Sequence, residues 1–256
     1  MKYNQIMLKA DAVIAVSNFI KNHIRENYPI ASSISDENLP VIHRGVDLEN
    51  FSSAKVSRAR VVQLATNWSI PDDKSIIMLP ARITGWKGHE FLIDSLAKVK
   101  SENFFCIMVG SDKNHEAYRK KLEKRIIKKN LGGKVRIVGS TKDINAAYLI
   151  SDIVISASIR PEAFGRIAIE AGAMGRVVIA TNIGGSLETI IPGETGFLVA
   201  VNDTDDMAKK IDDVLSMNKT EKDRICQNAK KYIAENFSNE KMYKKTIDLY
   251  KKILSE

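Results

Sequence analysis

The chain has 256 residues, 44% of them hydrophobic and 27% charged, with a net charge of +8. That length carries one large or two small domains with a sizeable core, and the composition is that of an ordinary globular protein. No apolar run reaches the roughly 18 residues of a membrane-spanning helix, the opening lacks the pattern of a cleaved signal peptide, and Cys106 and Cys226 offer neither a disulfide framework nor a metal cluster. A cytoplasmic protein is expected.

In chain order, DAVIAVS (11–17) reads as a buried-strand run and 18–26 as a helix, yet no strand precedes them to cover both faces. Residues 27–45, with Pro29, Pro40 and Gly45, read as an irregular connector. Residues 1–50 therefore resemble the tail of a preceding domain and its linker, with the last strand and helix within 8–26. The main domain is expected over 51–256. From residue 76, short apolar runs alternate with helix-period stretches: 76–80, helix 89–100, 104–110, helix 113–129, 135–139, helix 144–150, 152–158, helix 165–174 and 177–181. Continuous apolar runs alternating with helices predict parallel strands covered on both faces, the α/β doubly wound parallel sheet of the Rossmann type. Two glycine-bearing turns around a short helical piece and a small strand follow. Helices are then predicted over 203–215, 221–235 and 239–254, the first capped by Asp203 or Thr204.

Much of the positive charge lies in 113–129, where Arg119, Lys120, Lys121, Lys124, Arg125, Lys128 and Lys129 face only Glu116 and Glu123. Leu122, Ile126 and Ile127 recur at helical spacing, which makes this a surface helix with a basic outer face. Such a face is either merely solvated or adheres to anionic lipid. Nucleic acid is not expected, because no aromatic residues interleave with the cations.

In doubly wound sheets ligands sit beyond the carboxyl ends of the strands. There Arg82 and Lys87 flank a helix start, with Gly85 and Gly88 permitting close backbone approach, a pattern suited to pyrophosphate or to solvated loop charges. Glu162 stands in the loop after run 152–158 and Glu170 almost two turns into the next helix. Each carboxylate accepts hydroxyl hydrogen bonds, which suits a sugar and a ribose. The same acids would also serve as a helix-start charge and an ion-pair partner. Free amides at Phe164, Gly165 and Arg166 add an anion site. His23, His43, His89 and His115 show no metal spacing, His89 reads as packing or capping its helix, Ser156 and Ser158 lack a nucleophile pattern, and Trp86 is a candidate wall of the pocket.

VIHRGVDLENF (41–51), ARITGWKGHEFLIDSL (81–96), PEAFGRIAIEA (161–171), NIGGSLETI (182–190) and GETGFLV (193–199) together resemble the retaining GT-B glycosyltransferases of family 4 (group 1), over nearly the whole chain. The stretch 159–181 looks most like lipopolysaccharide-type bacterial members. The resemblance implies the C-terminal half of a GT-B fold, with most of the N-terminal, acceptor-binding domain absent. It implies that Arg82 and Lys87 hold the donor diphosphate and stabilise its departing charge, and that Glu162 contacts the transferred sugar. Glu170 would contact the ribose, the amides of Phe164, Gly165 and Arg166 the sugar or phosphate, and the backbone around Val138 and Gly139 the base. The substrate is then a UDP- or GDP-linked sugar, with no cofactor and no metal, and the acceptor an envelope glycolipid or polysaccharide. Ala81, Gly172 and Val177 depart from the family pattern without removing a ligand. Two alternatives accompany this expectation: a non-catalytic nucleotide-sugar-binding remnant, or one half of a split transferase. A partner chain or a second copy would dock on 11–17 and on the final helix through Tyr243, Ile247, Tyr250 and Leu254. Contact with the inner face of an anionic membrane is a further expectation.

Overall fold

In the computed structural model, which describes residues 4–255, the apolar runs form one six-stranded parallel sheet. Helix α1 (Asn18–Asn27) and helix α2 (Arg58–Asn67) precede it. Then follow β1 (Ser75–Pro80), α3 (His89–Leu96), β2 (Phe104–Val109), α4 (Glu116–Lys128), β3 (Val135–Val138), α5 (Ile144–Ile150), β4 (Ile153–Ser156), α6 (Arg166–Ala173), β5 (Val177–Thr181) and β6 (Phe197–Val199). Helices α7 (Thr204–Ser216), α8 (Lys219–Asn236) and α9 (Asn239–Ser255) close the chain. None of the described helices is long and apolar enough to cross a membrane.

The strand order is β3-β2-β1-β4-β5-β6, with Met78 beside both Ile107 and Val154. The chain thus winds outward in both directions from β1 and β4, the doubly wound sheet expected. Alternation along each strand explains the unbroken apolar runs. Ile77, Leu79, Cys106, Met108, Ile155 and Ile179 pack under α3, α4 and α7. Ile76, Met78, Ile107, Val109, Val154 and Val178 pack under α2, α5 and α6. With both faces covered, no strand needs a polar side.

Three features depart from expectation. Residues 11–17 are not a buried strand: Ala15 alone bridges Val41, with Ala15 N–H donating to Pro40 O at 3.0 Å and Ile42 N–H to Ala15 O at 2.9 Å. One short parallel contact with the connector replaces the two neighbours a central strand needs, and Val13 and Ile14 stay half-buried. Helix α2 was not anticipated; its signals are the cap Ser57, whose hydroxyl accepts from Arg60 N–H, and Val61 and Leu64 at helical spacing against the sheet. Gly172 has a packing role, since a Cβ there would lie 3.1 Å from Ile233 Cγ1, so the residue lets α8 approach α6. Asp203 caps α7 as predicted, accepting from Asp205 and Asp206 N–H.

Candidate functional site

The point where the strand order divides, between β1 and β4, opens at their carboxyl ends into a cleft of two adjoining cavities, about 460 and 310 Å3. Pro80, Ala81, Arg82 and Ile167 wall both. The larger cavity adds Arg44, Trp86, Lys87, Glu162 and the start of α6. The smaller adds Ser140, Thr141, Tyr148 and Glu170. Every predicted side chain with a charge is therefore in one cleft.

The loop after β1 is held against β4 at close range. Gly88 has φ +76°, and a Cβ there would stand 1.8 Å from the carbonyl oxygen of Ala157, so only glycine fits. Ile159 N–H donates to Trp86 O at 2.9 Å. This contact carries Lys87 to Glu162, Nζ to Oε1 at 2.8 Å, with each side chain only 13% exposed. Lys87 Nζ also lies 4.3 Å from the centre of the Trp86 ring, and the Ser158 hydroxyl donates to the same Glu162 oxygen. Two residues assigned to different parts of a ligand are thus paired with each other. Arg82 is exposed in the cleft wall. Under the loop His89 is fully buried, and desolvation pushes its pKa down to about 4.

The glutamate loop is supported from its other side by the 184–188 turn. Gly185 N–H donates to Glu162 O at 2.8 Å. Gly184 has φ +65°, and a Cβ there would reach 2.6 Å from that same carbonyl oxygen. Gly165, at φ +80°, is the N-cap of α6 and brings no side-chain cap, so the first amides of the helix point into the cleft as hydrogen-bond donors. Phe164 contributes backbone only: its buried ring packs on Phe237 and His43. On α6, Glu170 accepts from the Tyr148 hydroxyl at 2.9 Å and pairs with Arg166 at 3.0 Å. Burial, with the Glu170 charge beside it, holds the Tyr148 phenol protonated, its pKa raised well above the usual value. Val138 ends β3 and is buried, while Gly139 is exposed; the neighbours Ser140 and Thr141 reach the smaller cavity.

The segment before the sheet also takes part. Ser17 caps α1 and its hydroxyl donates to Ala163 O at 2.6 Å. Glu188 accepts from Asn18 N–H at 3.0 Å and Phe19 N–H at 2.9 Å, and meets His43 Nε2 at 2.8 Å. Burial pushes the Glu188 carboxyl up, but these bonds outweigh it and hold it below the usual range. Sequence patterns do not single out Arg44, Tyr148 or Glu188, and they mark Ser158 only as lacking a nucleophile pattern. Tyr148 sits in an apolar helical stretch and reads as core, Arg44 reaches the cleft from the segment before the sheet, and Glu188 gains its partners only through contacts distant in the chain. Among the described residues, no three His, Cys, Asp or Glu side chains converge as a metal site.

Comparison with known proteins finds similar chains and folds. A glycosyltransferase from Rickettsia africae ESF-5 is 41% identical with a TM-score of 0.92, over 99% of this chain and 66% of that one. Anabaena Alr3699/HepE in complex with UDP and glucose superposes with a TM-score of 0.86 at 24% identity, over 97% of this chain and 65% of that one. An uncharacterised glycosyltransferase of Methanocaldococcus jannaschii, MJ1069, is 28% identical over 97% of this chain. The chain spans 59% of that relative's length. The family model for glycosyl transferases group 1 matches residues 64–232, which include the loop of Lys87, the glutamate loop and α6. With that match over most of its length, the chain belongs to the group 1 glycosyl transferases.

Proposed function

We propose that the chain is the donor-binding half of a retaining family 4 glycosyltransferase of the lipopolysaccharide type. It binds a UDP- or GDP-linked sugar and serves transfer to an envelope glycolipid or polysaccharide. The observation that carries this is the Lys87–Glu162 pair at 2.8 Å, set beside Arg82 and the open amides of α6 in one cleft. A nucleotide sugar offers both groups better partners. Its diphosphate takes Lys87 and Arg82, its sugar hydroxyls donate to Glu162, and its ribose hydroxyls take the place of Arg166 on Glu170. The base lies towards Ser140 and Thr141, with the backbone of Val138 and Gly139 behind.

In the proposed transfer the bond from the anomeric carbon to the diphosphate oxygen breaks and a bond to the acceptor oxygen forms on the same face. The acceptor's proton passes to the leaving diphosphate. Negative charge gathers on that diphosphate as the bond opens, and fixed cations and amides in a partly dry cleft stabilise it without reorganising. Arg82, Lys87 and the amides at Phe164, Gly165 and Arg166 fill this role in place of a metal. The acceptor is held by a second lobe. In support, α9 has no buried residue, and Tyr243, Ile247, Tyr250 and Leu254 are exposed beside an apolar groove formed with Ile14 and Ile42. Work at the inner face of the cytoplasmic membrane completes the proposal. Without the lobe, the same chain is a nucleotide-sugar-binding module with no turnover.

Calorimetric titration with UDP, GDP and ADP tests the donor site. One nucleotide is expected to bind, and Arg82→Ala and Glu170→Ala each to weaken it about tenfold or more, the usual loss for a charge-assisted hydrogen bond. UDP, the nucleotide of the Anabaena complex, is the first to try. Binding of none, or binding indifferent to both substitutions, overturns the assignment.

A further inference from the structure

Charge is divided unevenly around α4. Leu122 and Ile126 are buried and mark its inward side. On its flanks the cations have acidic partners. Arg119 pairs with Asp112 and Glu123, Lys121 lies 2.9 Å from Glu90, Arg125 meets Glu90 and Asp94, and Lys129 lies 3.2 Å from Asp94. At about 100° per residue, the direction opposite Leu122 and Ile126 belongs to Lys120, Lys124 and Lys128, one turn apart, with Ala117 and Ile127 beside them. All five are exposed, Ile127 to 70%, and the three lysines enter no ion pair among the described residues. No acid stands between the three lysines, and the exposed Glu116 opens the same row one turn before Lys120.

We propose that this face of α4 docks the protein on an anionic bilayer, Lys120, Lys124 and Lys128 meeting lipid phosphates and Ile127 entering the headgroup layer. A row of unneutralised cations with one exposed apolar side chain fits a surface that is anionic above and apolar just beneath. A nucleic acid would call for aromatic rings between the cations, and the row has none. The helix begins beyond the loop after β2, whose Gly110 and Ser111 wall the smaller cavity, so its first turn lies on the same edge of the sheet as the cleft. The inference rests on the membrane association proposed above and names the face that makes it. Donor binding is read separately.

Co-sedimentation with vesicles tests it, using phosphatidylcholine alone and phosphatidylcholine with about a third phosphatidylglycerol, at about 0.1 M salt. Binding is expected to the anionic vesicles only, and to fall as salt rises. A surface lysine contributes about fivefold in partitioning, so Lys120→Gln, Lys124→Gln and Lys128→Gln together are expected to lower it about a hundredfold. Ile127→Ser lowers it further. Both variants should keep the far-ultraviolet spectrum and the nucleotide titration of the parent chain, because none of these side chains lines the cleft. Absence of vesicle binding, equal binding to neutral vesicles, an undiminished triple variant, or tighter binding to a single-stranded oligonucleotide overturns the proposal. So does loss of binding on Lys244→Gln with Lys245→Gln in α9 while the α4 variant still binds. Vesicle binding without nucleotide binding upholds this surface and counts against the donor site.

Discussion

His89 lies beneath the loop after β1 with its ring fully buried, Nδ1 3.3 Å from the Thr84 carbonyl oxygen and Nε2 without a partner. Its folded pKa of about 4, depressed by desolvation, lies below the ordinary value near 6.5. Between those values the unfolded chain takes up a proton that the folded one refuses, so stability present above pH 6.5 is lost as pH falls towards 4. Urea unfolding is expected to show about 2 kcal/mol less stability at pH 5 than at pH 7 from this residue, and His89→Gln to flatten that difference. An unchanged slope would show that the ring is not the group responsible. At this scale the sequence was legible where chemistry is local. Arg82, Lys87, Glu162 and Glu170 stand in short motifs, and the cleft contains all four. What stayed hidden was who pairs with whom. Lys87 and Glu162 are 75 residues apart, and Tyr148 finds Glu170 from another helix.

Helix α1 is tied to the sheet domain at its first turn. Ser17 caps it and reaches Ala163, while the Glu188 carboxylate receives the next two amides. The same 184–188 turn holds Glu162 through Gly185. Removing one carboxylate therefore leaves several donors at once to exchange their partner for water, most consequentially the part-buried Phe19 amide and His43 ring. Glu188→Ala is expected to speed amide hydrogen exchange in the first turn of α1 and in the glutamate loop, leaving α4 unchanged. Uniform acceleration across the chain would show a general loss of stability instead. Periodicity located the sheet elements and their helices because a strand buried on both faces and a helix with one apolar side carry different patterns. It misplaced a strand over 11–17, where an apolar run meets only the 38–42 connector, through Val13 and Ala15, since apolar content does not say how many neighbours a segment will have. It missed α2, whose outer face includes the exposed Val62 and blurs the helical period.

At the scale of the whole molecule, the proposed second lobe has a surface on which it can be tested. Helix α9 starts firmly, with Asn239 N–H donating to Val46 O at 3.1 Å, and then runs on with Ile247 and Tyr250 more than half exposed. Co-expression with the third of the Rickettsia chain that this one does not cover is expected to give a one-to-one complex, broken by Ile247→Glu. A homodimer broken by the same substitution would instead assign the groove to a second copy. The cleft has its own consequence for traffic through such an assembly. Arg44, Arg82, Lys87 and Arg166 face Glu162 and Glu170 there, four positive charges against two negative. On the proposed chemistry a nucleotide sugar arrives with two phosphate charges and balances the surplus, whereas the nucleoside diphosphate left behind carries about one more. Electrostatic attraction grows with charge at fixed geometry. On that proposal the charge of the cleft favours the spent nucleotide over the nucleotide sugar, and added nucleoside diphosphate is expected to compete with the donor for the site.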